Sequence, residues 1–160
     1  MTVIVIGVDP GDSTGVAIIK DNALFHAFQG TPEDALTLVE LTITRFDGED
    51  DDVTVAGERY VNMQTRGGRS HQPTAQRVLG ALEHLVTHHD CRFILQGPAD
   101  AWALASNTLL RRLGMYQTNK MLDTPDADDA NMAIRHALLY LSHAHATLFH
   151  DLMRRHGVMS

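Results

Sequence analysis

The chain opens on a nearly unbroken apolar run, Val3 to Val8, rich in β-branched residues, which predicts a buried strand. "STGVAIIK" and "ALFHAF" predict two further strands, joined by the turn dipeptide Asp21-Asn22 as a hairpin. A helix follows from Thr31 as N-cap, with Pro32 in its first position and acids in its first turn. Asp52 to Glu58 reads as a fourth strand, and the arginine-rich, glycine-containing segment after it as a mobile loop. Val78, Leu79, Leu82, Leu85 and Val86 fall on one face of a helix spanning Thr74 to His88. "RFILQ" is a fifth strand, and "PADAWALASNTLLRRLG" reads as one helix ending at Gly114. Residues 115–123 are ambiguous. The last helix is predicted to start with Thr124 as N-cap and Pro125 in its first position, burying Ala130, Ile134, Ala137, Leu138 and Leu141.

The order β-β-β-α-β-α-β-α-α predicts an α/β fold, a mixed five-stranded sheet flanked by helices. With 160 residues and no linker or repeat, the expectation is one domain over 1–160. No apolar stretch approaches the roughly 20 residues of a membrane helix, and the N-terminus lacks the pattern of a signal peptide. Cys91 is the only cysteine, which suits a reducing cytoplasm and a small core residue.

Both the first and fourth strands end on a carboxylate, Asp9 and Glu58, at the strand ends where open α/β sheets place their sites. Asp126 and Asp129 are three apart at the start of the last helix, a spacing that puts them on one face, with Asp128 pointing elsewhere. Helix-start acids also arise simply because they complement the helix dipole. If that helix packs its first turn against the strand ends, four carboxylates converge, and divalent cations are the usual remedy for their repulsion. Oxygen-only ligands suit Mg²⁺ or Mn²⁺. Two such ions about 4 Å apart support phosphodiester hydrolysis.

Read together, these segments resemble a known family. "VIGVDPGDSTGVAII" resembles the first motif of the RuvC family of Holliday-junction resolvases, "VAGERY" their strand-ending glutamate, and "DADDANMAI" their closing pair of acids. The three stretches occur in the family's order, and the short chain looks more like a bacteriophage relative. The resemblance implies an RNase H-like fold and a homodimeric endodeoxyribonuclease that resolves four-way DNA junctions with paired nicks. It further implies Asp9, Glu58, Asp126 and Asp129 as catalytic ligands of two Mg²⁺ per active site. Gly15 would let the scissile phosphate approach. Asp128 is an extra acid beside the motif, so the choice of ligands among the three rests on helical spacing, which favours Asp126 and Asp129.

The formal charge of −7 argues at first against a nucleic-acid partner. Five acids, however, crowd into "DGEDDD", read as a solvated loop; with these and the four candidate ligands set aside, eleven acids face thirteen bases. Arg59, Arg66, Arg69 and Arg77 form the densest basic segment, suited to phosphate contacts, and Tyr60 is placed to stack on an unpaired base. A solubilising loop and a structural tyrosine explain the same residues. Asp129, His136, His143 and His150 recur every seven residues, so His136 can lie near the metals as an outer-shell donor or belong to a plain polar stripe. Three other functions compete: a relaxed flap or branched-DNA nuclease, a non-catalytic branched-DNA scaffold, and an actin-like ATP-binding module. The last needs two domains, so no nucleotide cofactor is expected, and no membrane partner either.

Overall fold

The computed structural model describes residues 1–46, 48, 50–59 and 73–159, and the backbone alone of 64–65 and 68–69. Strands β1 (Thr2–Asp9), β2 (Thr14–Lys20) and β3 (Ala23–Gly30) lead into helix α1 (Pro32–Arg45) and strand β4 (Asp51–Glu58). A two-residue hairpin, β5 (Gln64–Thr65) and β6 (Gly68–Arg69), lies within the segment expected to be a mobile loop. Helix α2 (Pro73–His88), strand β7 (Arg92–Gln96) and helices α3 (Pro98–Leu104), α4 (Asn107–Arg112), α5 (Asn119–Leu122), α6 (Asp128–Ala144) and α7 (Ala146–Arg155) complete the chain.

The main sheet has the order β3-β2-β1-β4-β7, antiparallel among the first three strands and parallel across β1, β4 and β7. This is the predicted mixed five-stranded sheet. The hairpin turn sits at the predicted dipeptide: Asp21 adopts φ 55°, and its carboxylate accepts from the Val3 N–H at 3.0 Å. Strand alternation sorts the side chains into two layers. Ile4, Ile6, Val8, Val16, Ile18 and Val55 face α1 and α2, while Val3, Val5, Ala17, Ile19 and Ala56 face α6 and its neighbours.

Helix α6 is buried nearly all round from Ala130 to Leu141 and lies directly on the sheet. Close approach requires small residues beneath it. A Cβ on Gly7 would stand 1.9 Å from the Ala133 carbonyl oxygen.

Three predicted boundaries differ. The helix expected over 98–114 is two helices, because Ser106 caps α4 by accepting from the Leu109 N–H and the buried Arg135 takes the Ala105 carbonyl at 2.8 Å. The last helix starts at Asp128, not after Thr124. There the Thr124 hydroxyl donates to the Asp126 carbonyl and the Asp126 carboxylate accepts from the Asp128 N–H, so residues 124–127 form a turn. A break at His145 then puts His150 on α7, so the seven-residue histidine spacing does not run along one helix. Strand β4 starts one residue before the expected Asp52, so Asp51 of the acidic stretch also belongs to it, and Asp52 lies 3.4 Å from His145. Among the described residues, no helix is long and apolar enough to cross a membrane.

Candidate active site

Alternation along the strands decides which side chains meet α6. Asp9 has the parity of Val3 and Val5, Glu58 that of Ala56, and Gln96 that of Ile94, so all three point toward that helix. Because α6 runs against the direction of β1 and β4, its first turn reaches the strand ends that carry Asp9 and Glu58. Asp9, Glu58 and Asp129 line one open cleft of about 510 Å³, together with Gly11, Asp12 and Ser13 of the loop after β1. That loop is braced by Thr14, whose hydroxyl donates to the Gly11 carbonyl at 2.9 Å.

Burial, then the charges of Glu58 and Asp129, raise the Asp9 pKa to about 8, against the lowering influence of Arg135. Asp129 is also raised, first by burial and then by Asp126, Asp128 and Glu58, with a Ser13 hydrogen bond opposing. Glu58 is held from behind: its Oε2 lies 3.3 Å from Nε2 of His136, a completely buried residue. The other ring nitrogen, Nδ1, faces the Gln96 side chain at 3.1 Å. With the Gln96 amide nitrogen donating to Nδ1 and to the His136 carbonyl, its oxygen accepts from the Tyr140 N–H. Nε2 then carries the proton and donates to Glu58.

Asp126 stands apart. It precedes the helix, so it does not share a helical face with Asp129 as the spacing suggested, and it does not line the cleft. Gln29 donates to its Oδ1 at 2.8 Å; this bond, then the Asp128 N–H, hold its pKa below the ordinary range. Gln29, which holds Asp126 in place, is a residue of this region that the sequence reading missed. Its only signal was register: it pairs with Gly15 on β2, which pairs with Asp9 on β1.

Gly15 has a packing role. A Cβ there would lie 2.1 Å from the Asp129 carbonyl oxygen, so its bare backbone accommodates the first turn of α6. Arg59 and Arg77 are exposed and outside the acidic cleft; the Arg59 N–H donates to the Gln96 carbonyl at 2.7 Å. Tyr60 and Arg66 lie outside the described residues, and Arg69 is described in its backbone only.

Three carboxylates and no thiolate form a hard, all-oxygen donor set that fits Mg²⁺ or Mn²⁺ better than softer metals. Among the described residues, no group of three or more acidic, histidine or cysteine side chains stands close enough to hold an ion as placed. The carboxylates would have to draw together around a cation; burial first, and then the charges of Glu58 and Asp129, disfavour an ionised Asp9 without one.

No protein-family model matches the chain. No curated protein sequence matches it either. Solved structures do. Thermus thermophilus RuvC in complex with a Holliday junction substrate aligns over 98% of this chain and 97% of its own, with 17% identity and a TM-score of 0.52. A second structure of Thermus thermophilus RuvC aligns over 99% and 98%, with 16% identity and the same TM-score of 0.52. At that identity the likeness concerns architecture, and the chain has a RuvC-like, RNase H-like fold.

Proposed function

We propose that this protein is a Mg²⁺-dependent, structure-selective endodeoxyribonuclease that resolves four-way DNA junctions. The observation that carries the reading is the convergence of Asp9, Glu58 and Asp129 on one cleft at the strand ends of a RuvC-like fold. A RuvC structure with a Holliday junction bound supports branched DNA as the substrate class.

Asp9, Glu58 and Asp129 would hold the metal, with Asp126 as a fourth carboxylate if its turn shifts toward the cleft. When bound, Mg²⁺ or Mn²⁺ would supply charge to activate water and stabilise the leaving oxygen. Asp9, held largely protonated at neutral pH by its burial, would have to give up that proton to serve as a ligand. His136 fixes the orientation of Glu58, and Gln96 fixes that of His136. Arg59, Arg66, Arg69 and Arg77 would neutralise phosphates, so affinity falls steeply as salt rises. Tyr60 would meet the branch point.

Symmetric cutting needs two sites related by a two-fold axis, hence a homodimer. Leu79, Phe93, Ile94 and Leu95, with Arg59, Gln76 and Glu83, line an open and mostly apolar groove beside edge strand β7, which supports a second copy on that side. A monomeric mass at micromolar concentration counts against the dimer.

The deciding experiment compares an immobile four-way junction, a linear duplex and a flap, in Mg²⁺ or EDTA, for wild type and Asp9→Asn. Metal-dependent paired nicks on the junction alone, lost in the variant, establish the resolvase. Equal cutting of flap and junction makes it a general branch nuclease, and binding without cutting in any metal makes it a scaffold.

A further inference from the structure

Trp102 is the only tryptophan in the chain, and nothing above uses it. It follows Ala101, which packs with Leu104 against Met132 and Leu139 of α6 and so anchors α3. The indole is left 49% exposed. The Arg135 guanidinium sits 3.7 Å from its ring centroid and covers one face. Arg135 is itself only 1% exposed; its Nε donates to the Ala105 carbonyl and a terminal nitrogen donates to Asn107 Oδ1. The guanidinium is therefore fixed in place, and the exposed part of the indole is its outer face and edge.

The surroundings suit a polyanion better than an apolar partner. Arg111 stacks over the Tyr116 ring at 4.1 Å, and Arg111 and Arg112 close α4 as exposed residues. Arg135 belongs to α6, whose first turn carries Asp129 of the acidic cleft. A rigid aromatic face backed by a fixed arginine, packed on the helix that carries Asp129, has the make-up of a single-strand stacking platform.

We propose that the outer face of Trp102 binds an unpaired nucleobase of the DNA, with Arg111 taking an adjacent phosphate. This rests on the nuclease reading of the cleft and adds where an opened strand would lie. The indole competes with no catalytic side chain, and its stacking is indifferent to base identity, as recognition of shape requires.

Because Trp102 is the sole tryptophan, its emission reports on the site directly. Wild-type protein in EDTA at low salt is titrated with oligothymidylate and with an abasic strand of the same length, following labelled-strand anisotropy and tryptophan emission together. The expected result is binding of both strands, with strong quenching by oligothymidylate and little by the abasic strand. Trp102→Ala should bind oligothymidylate about tenfold more weakly, with Trp102→Phe close to wild type. If the alanine variant fails to fold, the phenylalanine variant and the wild-type quenching still decide. Binding with unchanged emission, or equal quenching by the abasic strand, overturns the platform while leaving metal-dependent junction cleavage untouched. No binding of any DNA, junction included, overturns the platform and the nuclease reading together.

Discussion

Gln29 caps helix α6 from across the sheet: its Oε1 accepts from the backbone N–H of Ala130 at 3.1 Å. The residue in the N-cap position is Ala127, which has no side-chain acceptor, so the cap comes from β3. Gln29 is buried, and its amide also holds Asp126. Gln29→Ala should destabilise the fold by about 1–2 kcal/mol, read by urea unfolding. Gln29→Glu keeps an acceptor for Ala130 and sets it against Asp126, so at neutral pH it should be no more stable than the alanine variant.

Gly15 and Gly80 predict opposite outcomes for the same substitution. Gly15→Ala drives a methyl group into the Asp129 carbonyl and must lift the first turn of α6 from β2. The expected loss is several kcal/mol, on the scale of severe overpacking, with loss of cleavage. Gly80 lies exposed within α2 with nothing within 4 Å of a built Cβ, so Gly80→Ala should stabilise by up to about 1 kcal/mol. Urea unfolding of both variants checks the contrast.

Asp9 sets a pH dependence. Its pKa rises from 3.8 to about 8 on folding, so between those values the folded state binds more protons than the unfolded state. Stability of the metal-free protein should therefore fall as pH rises through that window, by up to about 1.4 kcal/mol per unit, and level off above it. Asp129 shifts in the same direction and adds to the slope. Asp9→Asn should flatten the profile and abolish cleavage. Millimolar Mg²⁺ or Mn²⁺ should raise the Tm of wild type more at pH 8 than at pH 5, with a proton released on binding. A metal-independent Tm at both pH values contradicts the ligand assignment.

His136→Ala removes the donor that orients Glu58 and opens a cavity under α6. Cleavage should fall on the order of tenfold or more, with a higher Mn²⁺ concentration needed for half-maximal rate. Gln96→Glu replaces the donor facing Nδ1 by an acceptor, which favours the tautomer protonated there and turns an Nε2 lone pair toward Glu58. It also sets a carboxylate oxygen against the His136 carbonyl that the amide served, so it should raise the same Mn²⁺ requirement and lower Tm as well. Titration of the rate with Mn²⁺ separates this from general destabilisation.

The elements are legible in the sequence where one segment suffices. The strand β1 ending on Asp9, the Asp21-Asn22 turn, the Thr31-Pro32 helix start and the apolar face of α2 follow from propensity, turn chemistry and periodicity, and each is where the pattern put it. The pairing of Asp9 and Glu58 at one sheet end is legible too, because parallel strands bring their carboxyl ends together. The tertiary structure decided what depends on contacts between distant segments. Thr124-Pro125 is a sound helix start by local rules, yet α6 begins later, because its cap comes from Gln29, 101 residues earlier. The single helix expected from Pro98 to Gly114 splits where Arg135 takes a carbonyl from its ladder. Gly15 is legible as room for a phosphate, but only packing shows that its bare backbone also admits the first turn of α6. A sequence specifies which side chains can meet; only packing settles which of them compete for the same backbone group or the same space.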